Sequence, residues 1–136
     1  MTISIERLPE EPIIVATLAE PMNHQEEGPR MFQRLAEIRN TEMVDYSHYY
    51  IVIDTNGVKT GFSDIVIMLS EMRNARQRHE GGQPVKVILV GSGQMIELAT
   101  SAMGQAQYGG YGGRLFTSLG EALDSVRAEL IEMPAS

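Results

Sequence analysis

A weak alternation of apolar and polar residues over positions 3–6 predicts a short first strand. Pro9-Glu10-Glu11-Pro12 is turn chemistry, and the apolar run over 13–18 predicts a stronger strand behind it. With no helix between them, these two strands are expected to pair as a hairpin at a sheet edge. From about Glu26 or Pro29 to Arg39 the apolar period lengthens to that of a helix. Met31, Leu35 and Ile38 share its buried face, with Phe32 and Ala36 beside them. Tyr49-Tyr50-Ile51-Val52-Ile53 is then apolar at every position until Asp54, as in a parallel strand covered on both sides. Asn56-Gly57 marks its exit loop.

Ser63 and Asp64 stand where a helix begins, followed at helical spacing by Ile65, Val66, Leu69, Met72 and Ala75. Residues 73–79 are basic, which complements a helix C-terminus, and Gly81-Gly82 ends the element. A second covered strand is expected over 85–90. Gly91-Ser92-Gly93 then turns the chain into a helix over 94–103. After a glycine-rich stretch at 105–113 come a short strand at 114–117 and a capping box, Ser118 with Glu121. The last helix aligns Leu119, Ala122, Leu123, Val126 and Leu130, and residues 134–136 are an expected frayed tail.

Strand–helix alternation implies right-handed crossovers and parallel strands. The expectation is therefore one α/β domain over residues 1–136. It has a mostly parallel sheet of about four to five strands, an antiparallel edge strand and about four helices. The pattern leaves open whether the helices cover one face or both.

Composition narrows the function. The chain has 136 residues with 43% hydrophobic and 21% charged positions, ordinary values for a globular domain. A net charge of −7 makes nucleic acid an unsuitable partner. No apolar run has the length of a membrane span, and the N-terminus lacks a leader pattern, so a cytoplasmic domain is expected. Cysteine is absent, which removes disulfides, thiolate metal sites and thiol nucleophiles. His24, His48 and His79 share no ligand spacing, and no Ser/His/Asp constellation can be built from them. No catalytic residue, metal or cofactor is indicated. Met68, Met72, Met95 and Met103 fall at positions that fill helix faces.

The order of elements, with residues 51–58 (Ile-Val-Ile-Asp-Thr-Asn-Gly-Val), resembles the STAS domain, the regulatory fold of bacterial anti-sigma factor antagonists. Residues 115–123 (Leu-Phe-Thr-Ser-Leu-Gly-Glu-Ala-Leu) are similar to the family's ending. The resemblance covers roughly residues 45–130. It implies a non-enzymatic module switched by phosphorylation of a Ser in the first turn of the helix after Asp54, which falls on Ser63, with Thr60 nearby. It also implies a protein partner, a kinase or anti-sigma-like regulator, docking on Asp54, Asn56, Gly57, Phe62 and Asp64. A homodimer is one further arrangement. Phe62 stands where the family carries Asp, and a whole helix precedes the first central strand. STAS-like offshoots also resemble lipid-exchange domains, which bind an apolar ligand.

Each candidate has a plainer reading. Ser63 serves equally as an N-cap, whose loss costs about 1 kcal/mol. Asp54 serves as a loop-ordering carboxylate. A receiver-type phosphorylated Asp54 would need an acidic pair and a late Lys, and the chain offers only Glu20 and Thr117-Ser118 at those places. Gly91-Ser92-Gly93 matches two glycines of a dinucleotide fingerprint, with Ile96 where the third belongs, and its backbone N–H groups suit an anion. With Tyr108 and Tyr111 of the glycine-rich stretch it defines an alternative: a small-ligand or lipid carrier with an apolar cavity at the sheet end.

Overall fold

In the computed structural model, residues 3–20, 24–43, 46, 48–58, 64, 67, 70, 85–103 and 114–132 are described. The strands are β1 (Ile3–Arg7), β2 (Ile13–Ala19), β3 (Tyr49–Gly57), β4 (Val85–Val90) and β5 (Arg114–Phe116). The helices are α1 (His24–Glu42), α2 (Gln94–Met103) and α3 (Leu119–Glu132). Three helices thus have described bounds against the four or so expected. Of the helix expected after Ser63, only Asp64, Ile67 and Ser70 are described, and each is helical.

The five strands form one sheet in chain order, β1 through β5. β1 pairs antiparallel with β2, and every later pair is parallel. The expected edge hairpin is therefore present, and its turn places Glu10 in the left-handed region, at φ 62°. Strand alternation sorts side chains into rows across the sheet. One row runs Ile5, Ala16, Ile53, Leu89, Leu115. Its face packs against Met31, Leu35 and Ile38 of α1 and Ile96 and Ala99 of α2. The opposite row runs Glu6, Val15, Val52, Ile88, Arg114. Its apolar middle, with Ile13, Tyr50 and Val90, packs on Ala122 and Val126 of α3. Helices thus cover both faces. Charged Glu6 and Arg114 lie where the second row reaches the strand edges, which blunts edge pairing.

Two elements run past their expected ends. β3 continues beyond Asp54 to Gly57 because the pairing with β2 shifts register between Thr17 and Ala19 and resumes at Ala19–Gly57. Gly57 passes so close to the Leu18 carbonyl that a Cβ there would collide with it. α1 begins before Pro29, at His24, with Glu26 and Glu27 in a first turn where acids favour the helix dipole. Pro29 therefore lies inside the helix rather than at its start.

Candidate functional site

β3 and β4 end side by side as parallel neighbours, so the loops that leave their carboxyl ends share one end of the sheet. The local chemistry fixes both ends. The Asp54 carboxylate accepts a hydrogen bond from the Asn56 backbone N–H at 3.0 Å, an Asx turn that orders the exit loop. This is the loop-ordering role expected of Asp54. Thr55 is the one buried polar residue among those described, and its hydroxyl donates to the Val90 carbonyl at 2.8 Å. The Asn56 side-chain amide donates to the Thr117 carbonyl at 3.1 Å, and Gly91 N–H donates to the Phe116 carbonyl at 2.9 Å. These bonds tie the ends of β3, β4 and β5 into one rigid rim.

Glycine is required twice on the β4 side. A Cβ on Gly91 would run into the Thr55 hydroxyl. Gly93 has φ 104°, a conformation other residues rarely adopt. The turn they permit delivers the N-terminus of α2 to the rim. Between the two strand ends lies a half-open cleft of about 320 Å3, lined by Thr55, Asn56, Val58, Ser92, Gly93, Gln94 and Ile96. Val58 and Ile96 give it an apolar wall. Asn56, Ser92 and Gln94 supply polar groups, and the first N–H groups of α2 are unpaired within the helix. Glu97 N–H makes the first helical bond, to the Gly93 carbonyl at 3.1 Å.

The cleft joins residues from both sets of candidates. Asn56 comes from the docking set, and Ser92 and Gly93 from the ligand-binding set. Gly91 lies buried beneath the cleft against Thr55, and Asp54 and Gly57 shape the loop beside it. Asp64 is half-buried on a helical segment. Thr60, Phe62, Ser63, Tyr108 and Tyr111 lie outside the described residues, as does His79. Thr55, Val58 and Gln94 were not singled out from the sequence, and Ile96 was noted only as standing where a third fingerprint glycine belongs. The signal for Thr55 was a hydroxyl two residues past a wholly apolar run, a position whose polarity has to be satisfied locally.

A second polar assembly lies on the α3 face. The buried Tyr50 hydroxyl donates to the Glu129 carboxylate at 2.8 Å. Arg114 pairs with the same carboxylate, and Lys86 lies 3.6 Å from it. Burial, then the bond to Glu129, pushes the Tyr50 phenol up to about 12. Partial burial works against the Glu129 charge. The Tyr50 hydroxyl, Lys86 and Arg114 together outweigh it and hold the carboxyl below its usual pKa. Arg127 makes a forked pair with Glu11 at 3.0 and 3.1 Å, which raises its pKa and ties α3 to the β1–β2 turn. These shifts belong to a structural clamp, and none falls on a residue lining the cleft. Among the described residues, no group of three His, Asp or Glu side chains could hold a metal ion, and no helix is long and apolar enough to cross a membrane. No family model matches the chain, and no curated protein matches it.

Proposed function

We propose that this protein is a non-enzymatic regulatory module that binds a small ligand in the cleft at the carboxyl ends of β3 and β4. The observation that carries the reading is the cleft itself, about 320 Å3 and within the range of small-molecule sites. Its rim is preorganised by three cross-strand hydrogen bonds, so little ordering cost falls on binding. The apolar wall of Val58 and Ile96 faces polar groups from Asn56, Ser92 and Gln94, which suits a compact molecule with one polar end.

The Asx turn at Asp54–Asn56 favours a second reading, in which a protein partner docks on the ordered loop beside the cleft and phosphorylation of Ser63 or Thr60 controls it. Native mass spectrometry of protein purified from its own host distinguishes the two. A co-purifying non-covalent molecule is the expected result, lost in a Ser92→Tyr variant whose Tm matches that of ligand-stripped wild type. A bare mass carrying one covalent phosphate at Ser63 or Thr60 overturns it in favour of the switch. A bare, unmodified mass overturns it as well.

A further inference from the structure

The lining of the β3–β4 cleft is polar but uncharged. Among the described residues that line it, none carries an ionisable side chain. The charged side chains next to them among the described residues are Asp54 and Glu97, both acidic. The Asp54 carboxylate is engaged by the Asn56 N–H. Glu97 sits in the first turn of α2, where it offsets the positive end of the helix dipole. An anion in the cleft therefore meets no counter-charge in the lining. A cation meets no carboxylate there either. Each would give up its water without an ionic partner, at a large cost.

The hydrogen-bonding groups narrow the class further. The Thr55 hydroxyl gives its proton to the Val90 carbonyl, which leaves its oxygen as an acceptor. The bond from the Asn56 amide to the Thr117 carbonyl fixes which end of that amide is oxygen, so Oδ1 is an oriented acceptor. Ser92 and Gln94 make no hydrogen bond among the described residues, so a hydroxyl and a second amide are available. A matching ligand needs N–H donors with an acceptor beside them, and a carboxamide carries both on one carbon. A carboxylate carries acceptors alone and sets its lone pairs against those of Asn56 and Thr55. Val58 and Ile96 supply an apolar wall for a hydrocarbon body. We propose that the cleft selects an uncharged carboxamide, a small molecule with an apolar body and a neutral amide head received by Asn56 and Gln94. The inference rests on the reading of the cleft as a ligand site.

The test sets three molecules of one shape against each other at neutral pH: benzamide, which is neutral, benzoate, an anion, and benzamidine, a cation. The full chain with labelled Val and Ile methyl groups is titrated with each. Benzamide should give saturable one-to-one shifts of the Val58 and Ile96 methyls, with Ile3 and Ile5 of β1 unmoved. Benzoate and benzamidine should each bind about tenfold more weakly, the loss equivalent to one unmatched polar contact. Gln94→Lys puts a cation into the lining and should bring benzoate level with benzamide or past it. Gln94 is exposed, so unchanged methyl shifts away from the cleft in the ligand-free variant show an intact fold. Benzoate or benzamidine saturating the same methyls as tightly as benzamide overturns the neutral class and leaves the cleft a binding site. Tight benzoate binding that is lost in Lys59→Gln, at a position outside the described residues, overturns it in the same way and names the cation. Saturation by none of the three also overturns the carboxamide. A co-purified molecule lost in Ser92→Tyr would then still uphold the cleft, whereas a bare mass removes both.

Discussion

The contact between Gly91 and Thr55 shows how tightly single residues hold the rim. Thr55 uses its hydroxyl to satisfy the Val90 carbonyl, and Gly91 leaves room for it. A Gly91→Ala side chain and the hydroxyl compete for one volume, so the substitution should cost about 2 kcal/mol in urea unfolding. Thr55→Val should cost on the order of 1–2 kcal/mol by leaving that carbonyl unpaired. The informative variant is Gly91→Ala in a Thr55→Ala background. There the added methyl meets only ordinary van der Waals contact with Ile96, so the pair should be less destabilising than the two single changes added together. At this scale the sequence was only partly readable. Asp54 and Asn56-Gly57 carry turn chemistry that is visible in one dimension. Thr55 acquires its partner from a strand far away in the chain, and Arg114 and Lys86 meet Glu129 only across the sheet.

The elements were more readable than the contacts, because period alone separates a covered strand from an amphipathic helix. β4 and α2 begin and end where the pattern puts them, at residues 85–90 and 94–103. β3 overran its expected end because register with β2 is a pairwise property that no single segment encodes. The choice of helix faces was likewise open until both rows of the sheet were assembled. The start of α3 was explicit in the capping box: Glu121 N–H donates to the Ser118 hydroxyl at 3.2 Å. Ser118→Ala should therefore lower stability by about 1 kcal/mol, and Ser118→Asp should restore most of it. Thermal melts of the three proteins side by side would check the order. If Ser118→Ala melts with wild type, the cap contributes nothing to holding the helix.

For the molecule as a whole, the Tyr50–Glu129 clamp makes stability depend on pH in both directions. The Glu129 pKa is lowered in the folded state from an ordinary 4.5. Its contribution is complete above that ordinary value and is lost as pH falls through the lowered one. Glu129→Gln should flatten this acid limb of the stability curve. Tyr50 is raised from 10.0 to about 12, so its contribution is complete below 10 and fades as pH climbs toward 12. The alkaline loss is on the order of 2 kcal/mol. Tyr50→Phe should remove that loss while costing stability at neutral pH, where Glu129 is left without its buried donor. Urea midpoints at acid, neutral and alkaline pH would read both limbs. Curves for the two variants that run parallel to wild type would show that the clamp is not the source.

The placement of β3 has a kinetic meaning as well. It is paired on both sides and covered on both faces, whereas among the described residues β1 and the short β5 each have one unpaired edge. Amide protons in the buried stretch of β3, residues 50–53, can meet solvent only when the sheet itself comes apart, so their exchange in deuterated water measures the free energy of complete unfolding. The outward amides of β1 and β5 exchange through fraying at the edges and report a smaller, local opening. Bound ligand then leaves a signature that locates it. A ligand in the β3–β4 cleft raises the cost of complete unfolding and slows β3, while the β1 amides that exchange through fraying keep their rate.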